Sequence, residues 1–152
     1  MCVPVVAWTG RPQVLIFTRT DCPISNRYAP ELQRLFTAYS ARVDFRLVYV
    51  EPGLTVEKME RHRNEYGLGM PASADTDRKY VRMASATVTP EAAVFVDGKL
   101  VYRGRIDDRY VTFGVARRAA EHHDLADVLS LIATGKAPRV RFTKAIGCAI
   151  EP

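Results

Sequence analysis

Cys22 is the residue whose position points most directly to chemistry. It follows an apolar run at residues 14–17, which is typical of a buried strand, and it precedes a helical pattern. That pattern repeats apolar residues at helical spacing: Leu32, Leu35, Phe36 and Tyr39. The thiol is therefore expected at a helix N-terminus, where free N–H groups and the helix dipole favour an anion. This position predicts a lowered pKa and a nucleophile, against the alternative of a small buried hydrophobic residue.

The residues beside this cysteine bear on its reactivity. Pro23 fits the first turn of a helix, where its missing N–H costs nothing. Asn26 is either a helix cap or a polar group of the site. Asp21 would raise the pKa of the thiol unless its carboxylate is paired, and Arg19 or Arg27 is a candidate partner.

Composition and charge exclude several classes. The 152 residues predict one domain over residues 1–152, with a tail at 136–152. The net charge of +5 is scattered, so no nucleic-acid-binding surface is expected. No run of 18 apolar residues exists, so no membrane span is predicted. Three cysteines are too few for a disulfide framework, and no Cys/His spacing predicts a metal site. We expect no cofactor, and we assign no metal ligand and no role for Cys2.

Localisation stays open at this stage. The sequence shows no signal peptide, but its first apolar run, at residues 3–7, begins almost at Met1. The protein is therefore either cytoplasmic or extracytoplasmic, the second case requiring a leader that has been removed.

The apolar patterns predict an α/β fold, a mixed sheet with helices on both faces. Core strands are expected at residues 13–18, 43–50, 92–96 and 99–103, with an Asp97-Gly98 turn between the last two. Helices are expected at residues 23–41, 55–66 and 77–84 and around 125–132. The first two strands are expected to be parallel, and right-handed crossovers then place helices on both faces.

Two stretches lack a clear hydrophobic period: residues 104–123 and the tail. Long irregular segments in compact domains are often binding loops. We predict that some charged side chains of the first stretch line the approach to Cys22, against the alternative of a surface salt-bridge network. These side chains are Arg103, Arg105, Asp107, Asp108 and Arg109.

The chain resembles the thioredoxin-like superfamily. Pro30 stands eight residues after Cys22, where thioredoxin has the proline that kinks the same helix. More narrowly, the chain resembles redoxin or alkyl-hydroperoxide-reductase-like (AhpC/TSA) proteins of a bacterial subgroup. The resemblance implies a thioredoxin-like fold with an extra helical segment before the C-terminal hairpin. It also implies that Pro90 is a cis-proline opposite Cys22, and that Thr89 presents backbone polar groups to an extended substrate.

The motif departs from the dithiol pattern at Ser25, which stands where a dithiol oxidoreductase has its second cysteine. Ser25 either donates a hydrogen bond to the Cys22 thiolate or caps the helix. Such a site resolves a mixed disulfide only with another thiol. Cys148 in the tail is the candidate, and we predict a Cys22–Cys148 disulfide; the alternative is that Cys148 is an apolar plug.

The peroxiredoxin pattern is incomplete. Those enzymes have Thr or Ser three residues before the reactive cysteine, where this chain has Arg19, and their arginine aligns with Glu91. Arg103 or Arg105 could substitute for that arginine. We therefore predict that peroxide consumption is slow, which leaves a weak thiol peroxidase as one alternative.

The sequence thus predicts a thiol–disulfide oxidoreductase acting on a thiol or disulfide protein substrate, with an external reductant. The predicted catalytic residues are Cys22, Ser25 and Cys148. The predicted substrate-binding residues are Asp21, Pro23, Asn26, Thr89, Pro90 and Arg105. The rival is a non-catalytic module of the same fold that binds a metal such as copper or a protein partner. His62 is expected to be solvated or packed at the surface.

Overall fold

The computed structural model describes residues 10–136 and 138–151. Its strands are β1 Gln13–Thr18, β2 Asp44–Tyr49, β3 Ala72–Ala74, β4 Val88–Thr89, β5 Glu91–Val96, β6 Lys99–Gly104, β7 Tyr110–Thr112, β8 Val115–Ala116, β9 Arg141–Phe142 and β10 Cys148–Ala149. Its helices are α1 Pro23–Arg27, α2 Ala29–Tyr39, α3 Val56–Glu65, α4 Lys79–Ala84 and α5 Asp124–Ala133. The run predicted at residues 3–7 and Cys2 lie outside the described residues. No described helix is long and apolar enough to cross a membrane.

A six-stranded sheet in the order β3-β2-β1-β5-β6-β9 forms the centre of the molecule. β1 runs parallel to β2 and antiparallel to β5, as expected for a mixed sheet. The side chains of β1 alternate between two apolar clusters: Val14 and Ile16 face the larger cluster, and Leu15 and Phe17 face the smaller one. This double burial explains why the strand is continuously apolar.

Helices cover both faces of the sheet, which confirms the predicted fold class. The larger cluster includes Leu32 of α2, Met59 of α3 and Leu125 of α5. The smaller cluster includes Ala84 of α4. The fold therefore places α1 and α2 over the face that also receives Cys22.

The helix predicted at residues 23–41 is two helices. α1 ends at Arg27, and the N–H of Tyr28 bonds the carbonyls of both Ile24 and Ser25, which tightens the last turn. Pro30 has no N–H to continue the hydrogen-bond ladder, and it opens α2 instead. The kink expected from Pro30 is therefore a full break at Tyr28.

The hairpin between β5 and β6 turns where the sequence predicts. Asp97 and Gly98 have φ angles of 51° and 77°. Two successive residues with positive φ form the tight turn that matches the twist of a two-stranded ribbon. Gly98 takes this conformation without strain because it lacks a Cβ.

The tail is part of the sheet system. β9 pairs in parallel with β6 and adds an edge strand, and β10 pairs antiparallel with β4. Gly104 permits the first contact, because a Cβ there would lie 2.1 Å from Thr143 Oγ1. The second pairing returns the chain to the strand that directly precedes Pro90.

Candidate redox site at Cys22

Cys22 lies at the junction of β1 and α1 and is buried. It is the N-cap of α1, and its Sγ accepts a hydrogen bond from the backbone N–H of Ser25 at 3.5 Å. Pro23 begins the helix directly after it. Because the cap is the thiol itself, Ser25 does not cap the helix, which removes one of its two predicted roles.

Cys148 lies beside Cys22. The two Sγ atoms are 2.7 Å apart, hydrogen-bonded, and both thiols are free. A disulfide has an S–S length of 2.03–2.05 Å, so two-electron oxidation of the two thiols, with loss of both protons, would need only a small approach of the sulfur atoms. The pairing of β10 with β4 produces this contact, because it sets Cys148 opposite Thr89. The Thr89 carbonyl oxygen is 3.3 Å from the Cys22 Sγ and accepts its hydrogen bond.

The two thiols have opposite pKa shifts. Burial raises the pKa of Cys22, but the Cys148 thiol, the Ser25 N–H and the nearby side-chain hydroxyls of Ser25 and Thr89 outweigh burial, so the net pKa is lower than that of an ordinary cysteine. Burial and then the hydrogen bond with Cys22 raise the pKa of Cys148 to about 12. The arrangement therefore favours a thiolate at Cys22 that accepts a hydrogen bond from a protonated Cys148.

Two hydroxyl groups beside Cys22 have spare hydrogen-bonding capacity. Ser25 Oγ and Thr89 Oγ1 are buried and have no partner among the residues that the structure describes. Both side chains also contribute to the lowered pKa of the thiol. They are suited to donate to a thiolate once Cys22 ionises. The Thr89–Pro90 peptide bond is cis.

Asp21 is exposed. Its carboxylate pairs with Arg19, with Nε 3.0 Å from Oδ1. Arg27, the other predicted partner, donates instead to the Tyr110 hydroxyl at 3.4 Å. The ion pair lies close enough to act on Cys148, whose pKa Asp21 raises and Arg19 lowers as minor effects after burial.

Asn26 joins the site to a buried histidine. Its Nδ2 donates to the Thr20 carbonyl at 3.1 Å, and its Oδ1 lies 2.8 Å from His62 Nε2. The other ring nitrogen, Nδ1, is 2.7 Å from the Tyr49 hydroxyl. The network fixes the loop before Cys22, because Glu51 also binds the N–H and hydroxyl of Thr20.

The prediction of a solvated or surface-packed His62 was wrong. The ring is buried, 6% exposed, and both nitrogens are hydrogen-bonded. Burial lowers its pKa, which favours the neutral ring. A tyrosine at the end of a core strand was the available signal, since a buried tyrosine hydroxyl needs a polar partner.

The charged residues after β6 are divided between two places. Arg105 and Asp107 line a small pocket of about 10 Å³ with Pro90 and Ile146, on the side of the sheet that carries the site. The Arg105 guanidinium is already bound, with Nε 2.6 Å from Asp124 Oδ2. Arg103 donates to the Ala84 carbonyl at 3.2 Å, on the opposite face.

The acidic residues of the same stretch accept structural hydrogen bonds. Asp107 Oδ1 accepts from the Tyr28 hydroxyl at 2.5 Å and from the Arg109 N–H at 2.9 Å. Asp108 Oδ1 accepts from two further backbone N–H groups, those of Glu121 and His122. Both aspartates are buried.

Groups typical of a peroxidase are not gathered at the thiol. Within the described residues no arginine hydrogen-bonds Cys22: Arg19 binds Asp21, and Arg105 binds Asp124. Glu91, at the position of the peroxiredoxin arginine, is buried and accepts from the Thr87 N–H at 2.8 Å. Burial raises the pKa of this carboxyl.

A metal centre at the two cysteines would lack a third protein ligand from the described part of the chain. The one described cluster able to offer three ligand atoms is Asp108, Glu121 and His122. Asp108 already accepts hydrogen bonds from the backbone of both other members.

Comparisons with known proteins identify the fold. No protein-family model and no curated protein matches the chain. A solved structure of an uncharacterized conserved protein from Geobacillus kaustophilus superposes with a TM-score of 0.80 at 24% identity, covering 94% of this chain and 78% of its own. The thioredoxin domain of a thiol-disulfide oxidoreductase from Bacteroides vulgatus superposes with a TM-score of 0.58 at 13% identity, covering 81% of this chain and 79% of its own. The chain has the thioredoxin-like fold.

Another thioredoxin-like match is a secreted Mycobacterium tuberculosis disulfide oxidoreductase homologous to E. coli DsbE. It superposes with a TM-score of 0.56 at 23% identity, covering 80% of this chain and 81% of its own. These matches confirm the predicted thioredoxin-like fold. They do not address the narrower likeness to AhpC/TSA proteins, which stays a prediction.

Proposed function

We propose that this protein is a thiol–disulfide oxidoreductase in which Cys22 is the nucleophile and Cys148 the resolving thiol. The observation that carries the proposal is the 2.7 Å contact between the two Sγ atoms. Two thioredoxin-fold neighbours with redox activity in their names, a disulfide oxidoreductase and a thiol-disulfide oxidoreductase, add support of a general kind.

The reaction consists of two exchanges. The Cys22 thiolate attacks one sulfur of a substrate disulfide, forming a mixed disulfide and releasing the other substrate sulfur as a thiolate. Cys148 then gives its proton to that leaving thiolate, attacks Cys22 Sγ, and releases the second substrate sulfur as a thiolate, which takes up a proton from water. The substrate gains two electrons, and the protein is left with the Cys22–Cys148 disulfide. An external dithiol returns it to the reduced form.

The opposed pKa shifts suit this order of events. A lowered pKa makes Cys22 the thiol that ionises first and attacks, while a pKa of about 12 keeps Cys148 protonated until it is needed. Ser25 and Thr89 would stabilise the Cys22 thiolate through their free hydroxyls. Asp21, Pro23, Asn26, Pro90 and Arg105 would form the surroundings in which the substrate is held.

The test is disulfide mapping combined with turnover. Mild oxidation of the full chain should give an intramolecular Cys22–Cys148 linkage in peptide maps, and insulin reduction driven by an external dithiol should require Cys22. Cys22→Ser should lose both, and Cys2→Ser should lose neither. Oxidation that yields only intermolecular dimers would contradict the resolving role of Cys148.

The two adjacent thiols also suit a soft metal, which gives the rival function a specific observation. Cu(I) prefers thiolate ligands, and Cys22 and Cys148 offer two. A binding module would take up one equivalent of Cu(I) tightly and would show no turnover with insulin. An assay with hydrogen peroxide distinguishes a thiol peroxidase from both functions. A peroxidase would consume peroxide with saturable kinetics that depend on Cys22.

A further inference from the structure

The strand β4 lies beside Cys22, since the Thr89 carbonyl oxygen is 3.3 Å from the Cys22 Sγ. Within the described residues, β4 has one strand partner, β10, and the pairing covers Val88 and Thr89 only. If β10 dissociated from β4, the β4 backbone groups that hydrogen-bond it would be unpaired beside the buried Cys22 thiol. An open strand edge of this kind accepts an extended peptide by backbone pairing.

The contact between β10 and β4 tolerates no side chain at Gly147. A Cβ at this position would lie 1.9 Å from the Thr89 carbonyl oxygen and 2.6 Å from the carbonyl carbon. Both atoms are backbone, so no side-chain rotation relieves the overlap. The residue before the cysteine must therefore be glycine for a strand to dock in this register.

Isoleucines anchor the docked strand on both sides. Ile146 packs against the larger apolar cluster and Ile150 against the smaller one. The Ile150 N–H also bonds the Thr87 carbonyl at 2.9 Å. The docked sequence thus reads as apolar, glycine, cysteine, small, apolar.

We propose that the protein's own tail occupies the β4 edge as an internal competitor of substrate, and that this edge selects an extended segment with glycine directly before cysteine. The inference rests on the proposed function, and it adds the class of substrate: a flexible polypeptide segment carrying a Gly-Cys pair with apolar residues two positions to either side of the cysteine.

Substrate and tail must then alternate at one site. The docked tail holds Cys148 Sγ 2.7 Å from Cys22 Sγ, where an incoming sulfur has to arrive. The substrate enters as the tail leaves, and its sulfur becomes bonded to Cys22 while its partner sulfur departs as a thiolate. The returning tail displaces the substrate strand, and Cys148 takes over the bond to Cys22 as the substrate thiol is released.

The test uses the Cys148→Ser full chain and synthetic peptides of residues 144–151, activated as mixed disulfides with thionitrobenzoate. The native peptide and a version with Gly147→Ala are compared by the release of the coloured thiolate. The native peptide should react about tenfold faster, since a steric overlap of backbone and Cβ costs at least that factor in docking. A small aromatic disulfide, which needs no docking, serves as the reference for Cys22 reactivity.

Substitution in the tail itself gives a second, opposite readout. Gly147→Ala in the full chain should undock the tail, raise the rate with the native peptide about tenfold, and slow Cys22–Cys148 disulfide formation. Arg139→Ala, at an exposed position of the tail outside β10, should change neither rate.

The outcomes separate the two proposals. Equal rates for both peptides, with normal reaction of the small disulfide, would overturn the docking site and leave the oxidoreductase intact. Unchanged disulfide formation in Gly147→Ala would overturn the docked tail in the same way. No reaction of Cys22 with any disulfide would overturn both.

Discussion

Two stretches of the chain lack a clear hydrophobic period: residues 104–123 and the tail at residues 138–151. Their polar groups have different roles. In the first, the buried carboxylates of Asp107 and Asp108 accept hydrogen bonds from the hydroxyl of Tyr28 and from backbone N–H groups. In the second, Cys148 contacts the Cys22 thiol, beside which the hydroxyls of Ser25 and Thr89 have no hydrogen-bond partner among the described residues. The carboxylates of the first stretch therefore serve structural hydrogen bonds, whereas the tail places a thiol next to another thiol.

This difference indicates how to choose candidate catalytic residues in a stretch that has no hydrophobic period. Charge alone is a poor guide, because a buried charge must be satisfied by the fold that buries it. A polar group that is buried and still unsatisfied is the better guide, since it needs a ligand, a substrate or a second protonation state to explain it. Ser25 and Thr89 meet that criterion, and Arg105, which is paired with Asp124, does not.

The largest effect is expected from the tail. Cys148→Ser should lower turnover of insulin by about 100-fold, because an external thiol must replace one that is held against the reaction centre. The thermal midpoint of unfolding should change little, since the serine hydroxyl fits the same half-buried space. Turnover assays and calorimetry on the same preparation provide the measurement. Turnover equal to that of the parent would show that Cys148 has no part in the reaction.

The matching change, at a residue that hydrogen-bonds the first stretch, should alter stability without altering chemistry. Tyr28→Phe removes the hydroxyl that donates to Asp107 at 2.5 Å, and a hydrogen bond to a charged group contributes about 1.5–3 kcal/mol. The midpoint should fall by roughly 3–10 °C for a domain of this size. Tyr39→Phe, in a half-buried tyrosine, is the control. A large loss of Cys22 reactivity in Tyr28→Phe would show that the stretch also acts on the site.

A smaller effect concerns the ionisation of Cys22. Cys148→Ala removes a hydrogen-bond donor to the thiolate, so the pKa of Cys22 should rise relative to the parent. The pH dependence of iodoacetamide alkylation, read at Cys22 by mass spectrometry, measures the midpoint. Arg105→Lys, in the first stretch, should leave that midpoint in place. A midpoint that does not move in Cys148→Ala would mean that the hydroxyls of Ser25 and Thr89 alone hold the thiolate.

The smallest effect is a pH dependence of stability that comes from His62. Burial lowers its folded pKa below the unfolded value of about 6.5, so the unfolded chain binds more protons in the window below that value. Stability should therefore fall as pH drops below about 6.5. His62→Gln should lose this component, and His123→Gln should keep it. Denaturant unfolding at a series of pH values measures the free energy of unfolding. The same pH dependence in the parent and in His62→Gln would contradict the role of His62.

Much of the fold follows from local pattern. The continuous apolar runs predicted the central strands, the Asp97-Gly98 pair predicted its turn, and the strand-to-helix junction predicted where Cys22 lies. Each of these signals is carried by residues within one element or one turn. The fold class follows from their order, because right-handed crossovers leave few alternatives.

The parts that depend on distant pairing follow much less directly from the sequence. Cys148 meets Cys22 across 126 residues through the pairing of two-residue strands, and strands so short have no period to read. The burial of His62 likewise depends on Asn26 and Tyr49, which belong to different elements. Ser25 in place of a second cysteine made Cys148 the predicted partner of Cys22, but the geometry of that contact and the partners of His62 are set by the tertiary fold.

One ion-pair cluster sets how far Cys148 can travel. Asp124 binds both Arg105 and Arg141, which fastens β9 to the start of α5 and the end of β6. From Thr143, which is held against Arg103, only five residues lead to Cys148. Fully extended they span about 17 Å, so the released thiol stays within that radius of its anchor. A thiol confined to so small a volume has an effective concentration in the millimolar range or above, which external thiols would have to match to compete with it.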